Sequence, residues 1–322
     1  FQFPKLSFFF PENEKFVGEF VCLPIGLQKE FIEKEATPYN VITGDDAGKI
    51  LRRRARFSHK GTYGHALLVA GSYGMSGASV LAARAAVRAG TGLLTTHIPR
   101  KCVEIIQAAV PESLVSIDES DVIFTGVSSP EKYTAAGIGP GLNQKPNTKK
   151  GLLQLMKDFK KPLVIDADAL NILAGIENWP EYLPEQTILT PHPKEYERLF
   201  GKQEESYKRL VQQIKFSVDK QCTVALKGAY TCITTPSGDV WFNTTGNPGM
   251  AKGGSGDVLT GLILGILAQG YSTDEAAILG VYIHGVAGDM AAADKGEYGL
   301  IPSDIIYNIG RAFSVIEKNI AI

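Results

Sequence analysis

The chain has 322 residues, room for one large α/β domain with extensions or for two small domains. Hydrophobic residues make up 44% and charged residues 21%, and the formal net charge of −1 gives no electrostatic case for nucleic acid or an anionic membrane as a partner. Four cysteines (Cys22, Cys102, Cys222, Cys232) show no Cys-x-x-Cys spacing, which argues against a zinc site and fits free thiols in a reducing, cytoplasmic compartment.

In chain order, residues 1–11 lack a signal-peptide core, and the runs 8–11 and 16–21 are each expected as a short strand outside any complete unit. A Gly-, Asp- and Arg-rich stretch over 43–56 is expected as a linker between a first segment, 1–42, and a main domain, 57–322. Its cluster Arg52-Arg53-Arg54-Ala55-Arg56 reads as a solvated face, because no aromatic platform for bases is interleaved with it.

After His59 the pattern changes to alternating strands and helices. A buried strand is expected over 65–70, a glycine-rich turn over 71–77, a helix over 78–89 ended by Gly90, and a returning strand over 92–98. Further strands are expected over 122–125, 163–166, 188–190 and 223–227, each pair separated by a helix-length segment. Residues 231–235 and 240–243 read as an edge hairpin. The whole predicts an α/β fold with a mainly parallel central sheet covered on both faces. In such sheets functional loops gather at the carboxyl ends of the strands. Gly139-Pro140-Gly141, Asp166-Ala167-Asp168, Pro191-His192-Pro193-Lys194-Glu195 and Lys227-Gly228-Ala229 all fall there. Asp166 and Asp168 would face opposite ways, one toward the loops and one capping a helix from Ala169; neither is taken as a base.

The segment from Gly246 to Asp257 carries the chemistry. Gly253, Gly254 and Gly256 let backbone N–H groups turn inward ahead of an apolar helix over 258–267, whose positive end stabilises a phosphate or an oxyanion. That helix is too short to span a bilayer. A carboxylate at Asp257 repels a bound anion, so phosphate binding alone does not explain it. It suits a base that takes a proton from a hydroxyl about to attack phosphorus. The competing reading is an Asp cap on a core helix. His59 and His284, the latter in an apolar helical stretch over 276–290, read as surface or structural residues.

Eight segments in order carry a family resemblance: His59–His65, Gly71-Ser72, Gly77-Ala78, Gly139-Pro140-Gly141-Leu142, Asp166–Asn171, Leu189–Glu195, Leu226–Ala229 and Gly246–Gly261. Over roughly residues 50–320 the chain resembles the ADP/ATP-dependent NAD(P)H-hydrate dehydratases of the ribokinase-like superfamily, three-layer α/β/α sandwiches. Residues 1–42 resemble the end of the epimerase domain that bacterial members often carry in front. The resemblance implies phosphorylation of the C6 hydroxyl of hydrated NADH or NADPH, with ADP or ATP and Mg2+, and then loss of phosphate. It implies Asp257 as the base, with the N–H groups of Gly254, Ser255 and Gly256 holding the transferred group. Ala78, Gly141, His192 and Asp257 would contact the hydrated cofactor. Lys227, Gly228, Ala229, Tyr230, Thr231 and Gly256 would contact the nucleotide. By analogy with the Asn-x-x-Glu element of ribokinase-like kinases, Glu195 would orient magnesium-bound water; its competing role is a carboxylate favoured by a helix dipole. Relatives suggest a homo-oligomer, possibly a tetramer by that implication alone. Ser255 stands where the family often has Thr, and Met250 where Leu is common. The nearest rival reading is a ribokinase-like kinase of a small alcohol; a rival of another class is a silent nucleotide-binding regulator.

Overall fold

The computed structural model describes residues 2–320. The apolar runs pair into a single sheet of ten strands among the described residues: β1 Tyr39–Val41, β2 His65–Val69, β3 Leu93–Ile98, β4 Leu114–Ile117, β5 Ala135–Ile138, β6 Leu163–Ile165, β7 Thr187–Leu189, β8 Thr223–Leu226, β9 Cys232–Thr234 and β10 Val240–Phe242. Their order is β1-β10-β9-β8-β7-β6-β5-β2-β3-β4. β2 to β8 run parallel, β9 is antiparallel to both its neighbours, and β1 is parallel to β10.

Both faces are buried, which is why these strands are apolar without alternation. Ala66 and Leu68 of β2 enter one core with the helices Ser76–Arg88, Ser255–Ala268, Thr273–Gly299 and Pro302–Ile320. Leu67 and Val69 of the same strand enter the other core, with Leu152 and Leu155 of the helix Pro146–Asp158 and Leu170 of the helix Ala167–Ala174. On the first face two helices approach closely through small residues. A Cβ at Gly261 would lie 2.0 Å from the Ala82 carbonyl oxygen, and one at Gly265 2.5 Å from that of Ala86. This fit brings the start of the Ser255–Ala268 helix beside the start of the Ser76–Arg88 helix.

Several expectations are corrected. Residues 8–11 and 16–21 form no strands; the 3-10 turns Leu6–Phe9 and Pro11–Asn13 and the helix Glu14–Val17 stand there. Their aromatic rings pack instead of pairing: Phe9 stacks on Phe242 with centroids 4.5 Å apart. The stretch 43–56 is not a plain linker. It carries the helix Gly44–Ile50, started by a reciprocal Thr43–Asp46 capping box and burying Ala47 in the main core. Its arginines are exposed, as expected of a solvated cluster, yet contacts form as well: Arg52 lies over Tyr271 at 4.3 Å and pairs with Glu275 at 2.7 Å, and Arg54 lies over Tyr63 at 3.9 Å.

No strand forms over 122–125, because residues 118–126 wrap around one buried carboxylate. Asp118 accepts from Ser120 N (2.8 Å), Thr125 N (2.7 Å) and Thr125 Oγ1 (2.6 Å), and lies 3.0 Å from His97 Nε2. Burial would raise its pKa, but these hydrogen bonds hold it down to about 2. The outer parallel strand is β4 instead. The helix Thr273–Gly299 is long and apolar enough to cross a membrane by length and composition alone, but 61% of its apolar window is buried inside the molecule, as in a core helix.

Candidate active site

The loops after β2, β5, β6, β7 and β8 converge on the start of the Ser255–Ala268 helix. Gly254 takes φ +99°, and a Cβ there would lie 2.6 Å from Leu81 Cδ1, so only glycine fits both the turn and the neighbour. Among the described residues, the N–H groups of Gly254, Gly256 and Asp257 have no acceptor. The Ser255 N–H is different: it donates to the Lys252 carbonyl at 3.2 Å. The expected trio of anion donors is therefore two glycines joined by Asp257 in this conformation. The loop before them is tied to one helix. Asp289 accepts from Gly246 N and Asn247 Nδ2, both at 2.9 Å, and Lys252 Nζ donates to the Tyr298 carbonyl at 2.7 Å.

Asp257 is half-buried in the first helical turn, and its pKa is raised to about 6. Burial contributes most, the Asp166 charge adds to it, Lys227 opposes it, and Asp168 adds a little more. Among the described residues nothing hydrogen-bonds its carboxylate.

Asp166 directly follows β6, and the chain turns sharply there: Ala167 has φ +48° and already begins the next helix, two residues before the expected start. The Asp166 side chain caps nothing. It is 1% exposed and accepts from Lys227 Nζ at 2.7 Å and Thr260 Oγ1 at 2.6 Å. Asp168 does not cap either; it accepts from Asn143 N and Gln144 Nε2, both at 2.9 Å, and so holds the loop that follows Gly141. Gly141 has φ +59°, and a Cβ there would lie 2.9 Å from the Ala78 Cβ. The two small positions therefore form one surface, half-open to solvent.

His192 and Glu195 are locked together as the N-cap of the helix Pro193–Phe200. His192 Nδ1 accepts from Lys194 N (3.1 Å) and Glu195 N (3.3 Å), and the His192 N–H donates to Glu195 Oε2 at 2.8 Å. Burial lowers the His192 pKa, and Lys227 lowers it further. With Nδ1 accepting, the neutral ring carries its proton on Nε2, 3.3 Å from Glu195 Oε1. Glu195 is 4% exposed; burial raises its pKa, and Lys227, 3.9 Å away, opposes the rise. No group of three or more His, Cys, Asp or Glu side chains able to hold a metal occurs among the described residues.

In the segment after β8, Gly228 and Ala229 are exposed and Thr231 is buried. Thr231 Oγ1 donates to the Gly228 carbonyl at 3.3 Å, and Tyr230 meets Phe9 edge-on at 5.2 Å. Cys222 and Cys232 are buried free thiols, both pushed up to about 12 by burial. His284 Nε2 is buried with no hydrogen-bond partner among the described residues, and burial pulls the ring down to about 4, which keeps it neutral. Reading the chain missed Thr260, Asp289 and the role of Asp166 as an ion-pair partner. A hydroxyl three residues after Asp257, in an otherwise apolar helix, was the available signal for Thr260.

Comparisons with known proteins agree with this architecture. A family model described as NAD(P)H-hydrate dehydratase matches residues 66–311. The bifunctional NAD(P)H-hydrate repair enzyme of Moorella thermoacetica is 36% identical over 316 residues, covering 95% of this chain and 60% of that protein. The chain thus spans about 60% of the length of this bifunctional relative. The ADP-dependent (S)-NAD(P)H-hydrate dehydratase of Bacillus subtilis is 35% identical, with 82% of this chain and 95% of that one covered. A crystal structure of the ADP/ATP-dependent NAD(P)H-hydrate dehydratase from Bacillus subtilis, co-crystallised with ATP/Mg2+, superposes with a TM-score of 0.77 at 32% identity. It covers 86% of this chain and 99% of its own. The sheet and its helical layers are the ribokinase-like α/β/α sandwich.

Proposed function

The chain belongs to the NAD(P)H-hydrate dehydratase family, and on that footing we propose that it is an ADP-dependent (S)-NAD(P)H-hydrate dehydratase. The observation that carries this reading is the Asp257 carboxylate, raised to about 6, beside unpaired N–H groups at a helix start. A base poised near neutrality next to an anion hole suits transfer of a phosphoryl group to a hydroxyl.

Asp257 takes the proton of the C6 hydroxyl on the hydrated ring as the C6 oxygen attacks the β-phosphorus of ADP. The Gly254, Gly256 and Asp257 N–H groups hold the spreading charge, and AMP departs. Phosphate is a good leaving group where hydroxide is not. The ring nitrogen lone pair expels it from C6, and loss of a C5 proton restores the C5=C6 double bond of NADH or NADPH. The Ala78–Gly141 surface lets the cofactor approach the backbone, with His192 touching it from the facing loop. Lys227 to Thr231 receive the nucleotide. Among the described residues no cluster of three or more ligating side chains occurs; Mg2+ would come with the nucleotide phosphates and keep its waters, and Glu195 would orient one of them. Bound there, the ion would neutralise phosphate charge.

The reading includes a cytoplasmic location, a homo-oligomer (a tetramer, checked by light scattering), and residues 1–42 as a segment resembling the end of an epimerase domain. The deciding experiment is absorbance at 340 nm after enzyme, magnesium and ADP, or ATP separately, are added to NADH hydrate. A rise with stoichiometric phosphate supports the reading and identifies the donor. No rise with either nucleotide, in folded protein, overturns it.

A further inference from the structure

Asp166 is among the most deeply buried charges in the molecule, and the chemistry just described does not use it. At 1% exposure a carboxylate is held only at high cost unless it is paired and hydrogen-bonded. Both its oxygens are taken: Oδ1 by Lys227 Nζ at 2.7 Å, Oδ2 by the Thr260 hydroxyl at 2.6 Å. The three residues come from the end of β6, the start of the segment after β8, and the Ser255–Ala268 helix. Their junction lies at the helix start: a Cβ on Gly256 would lie 3.4 Å from Lys227 Nζ and 3.9 Å from Asp166 Oδ2. The space that glycine leaves thus opens onto the ammonium.

We propose that Asp166 is a positioning residue for the phosphoryl transfer. Its carboxylate, locked by Thr260, holds the Lys227 ammonium at the open first turn of the Ser255–Ala268 helix. The incoming phosphoryl group then meets a cation and backbone donors already in place, with no reorganisation at the moment of reaction. A lysine stem is flexible and its head a point charge, so without a tether it would swing toward the neighbouring carboxylates. Asp166 also stops Lys227 from neutralising the base. Asp257 is faced by Asp166, Lys227 and Asp168; Asp166 is faced in turn by Lys227, Thr260, Glu195 and His192. Removing the Asp166 charge releases the ammonium and deletes a repulsion on Asp257 together. This inference rests on the proposed function for the reaction it serves, though not for the charge coupling itself.

The test uses Thr260→Val and Asp166→Asn in the full chain. Steady-state rates are measured with NADH hydrate and ADP, and carboxyl-carbon NMR follows the Asp257 titration in the free protein. Thr260→Val is expected to lower kcat about ten-fold with little change in the KM for ADP. Asp166→Asn is expected to lower kcat about 100-fold and to move the Asp257 midpoint downward. A role in packing alone, with no charge coupling to Asp257, would leave that midpoint in place. Wild-type kcat in both variants, or an unmoved Asp257 midpoint in Asp166→Asn, overturns the proposal. If Asp166→Asn does not fold, wild-type kcat in Thr260→Val overturns it alone. If the wild-type protein turns over no hydrate, the proposed function fails, while the titration, which needs no substrate, still decides the coupling.

Discussion

Asp257 is pulled in opposite directions by its surroundings. Burial and the charges of Asp166 and Asp168 favour its protonated form, and Lys227 favours the ionised one; the result is a pKa of about 6. As the proposed base it must be ionised, so kcat/KM should fall as pH drops below about 6, along one acid limb. Asp257→Asn should keep nucleotide binding and cost several powers of ten in turnover, read at 340 nm. The same substitution bears on stability. An Asp whose folded pKa lies above its unfolded value contributes stability that is present below the unfolded value, near 3.8, and lost as pH rises through about 6. The native Asp257 therefore costs the fold at most about 3 kcal/mol above that window. Thermal melts should show Asp257→Asn gaining on the wild type at pH 8 and not at pH 4. At His192 two roles coincide, since its Nδ1 caps a helix while its edge, 43% exposed, faces the site. His192→Ala should cost about 1 kcal/mol of stability from the lost cap. It should also weaken binding of the hydrated cofactor more than that of ADP by titration calorimetry; equal weakening would move His192 to the nucleotide side.

Between elements, the position of the proposed anion hole depends on how closely two helices pack. The Ser255–Ala268 helix is apolar nearly all round, as a buried helix must be, and its glycines select the neighbour it can approach. A methyl at Gly261 would lie 2.0 Å from the Ala82 carbonyl oxygen, a backbone atom that cannot rotate aside. Gly261→Ala should therefore force the helices apart and destabilise the protein by about 2 kcal/mol or more in urea unfolding, despite the higher helix propensity of alanine. Because Leu81 and Ala78 lie on the neighbouring helix, the shift should also disturb Gly254. The segment 118–126 teaches the reverse lesson. Its apolar residues suggested a strand, but the backbone donors there are drawn to the Asp118 carboxylate, and a loop is the outcome.

Across the whole molecule, the chain before the sheet reaches the segment after β8, proposed to receive the nucleotide. Phe9, 8% exposed, stacks on Phe242 of β10 and meets Tyr230 edge-on, while Glu12 accepts from Ser206 N at 3.0 Å and Ser206 Oγ at 2.6 Å. Phe9→Ala should cost about 3 kcal/mol in stability and weaken ADP binding through Tyr230, leaving hydrate binding less affected. Melting curves and calorimetry with each ligand would check both parts.

Much of the architecture was legible in the chain itself. Strand β2, the glycine turn and the helix after it, the β9–β10 hairpin and the Gly246–Asp257 loop each consist of consecutive residues whose apolar runs and glycine spacing act locally. The hairpin was expected at the sheet's edge, but β1 pairs outside β10 and takes that place. The strands expected over 8–11 and 16–21 do not form, and 43–56 carries a helix, because these segments take their structure from packing onto β10 and the main core, which local pattern does not record. The site divides the same way. Asp257 and the loop glycines stand out by their spacing, whereas the pairing of Asp166 with Lys227 and Thr260 joins residues 61 and 94 positions apart. Such a pairing exists only once parallel strands and a crossing helix bring distant ends together, and the charge balance around the base was therefore decided by the tertiary structure.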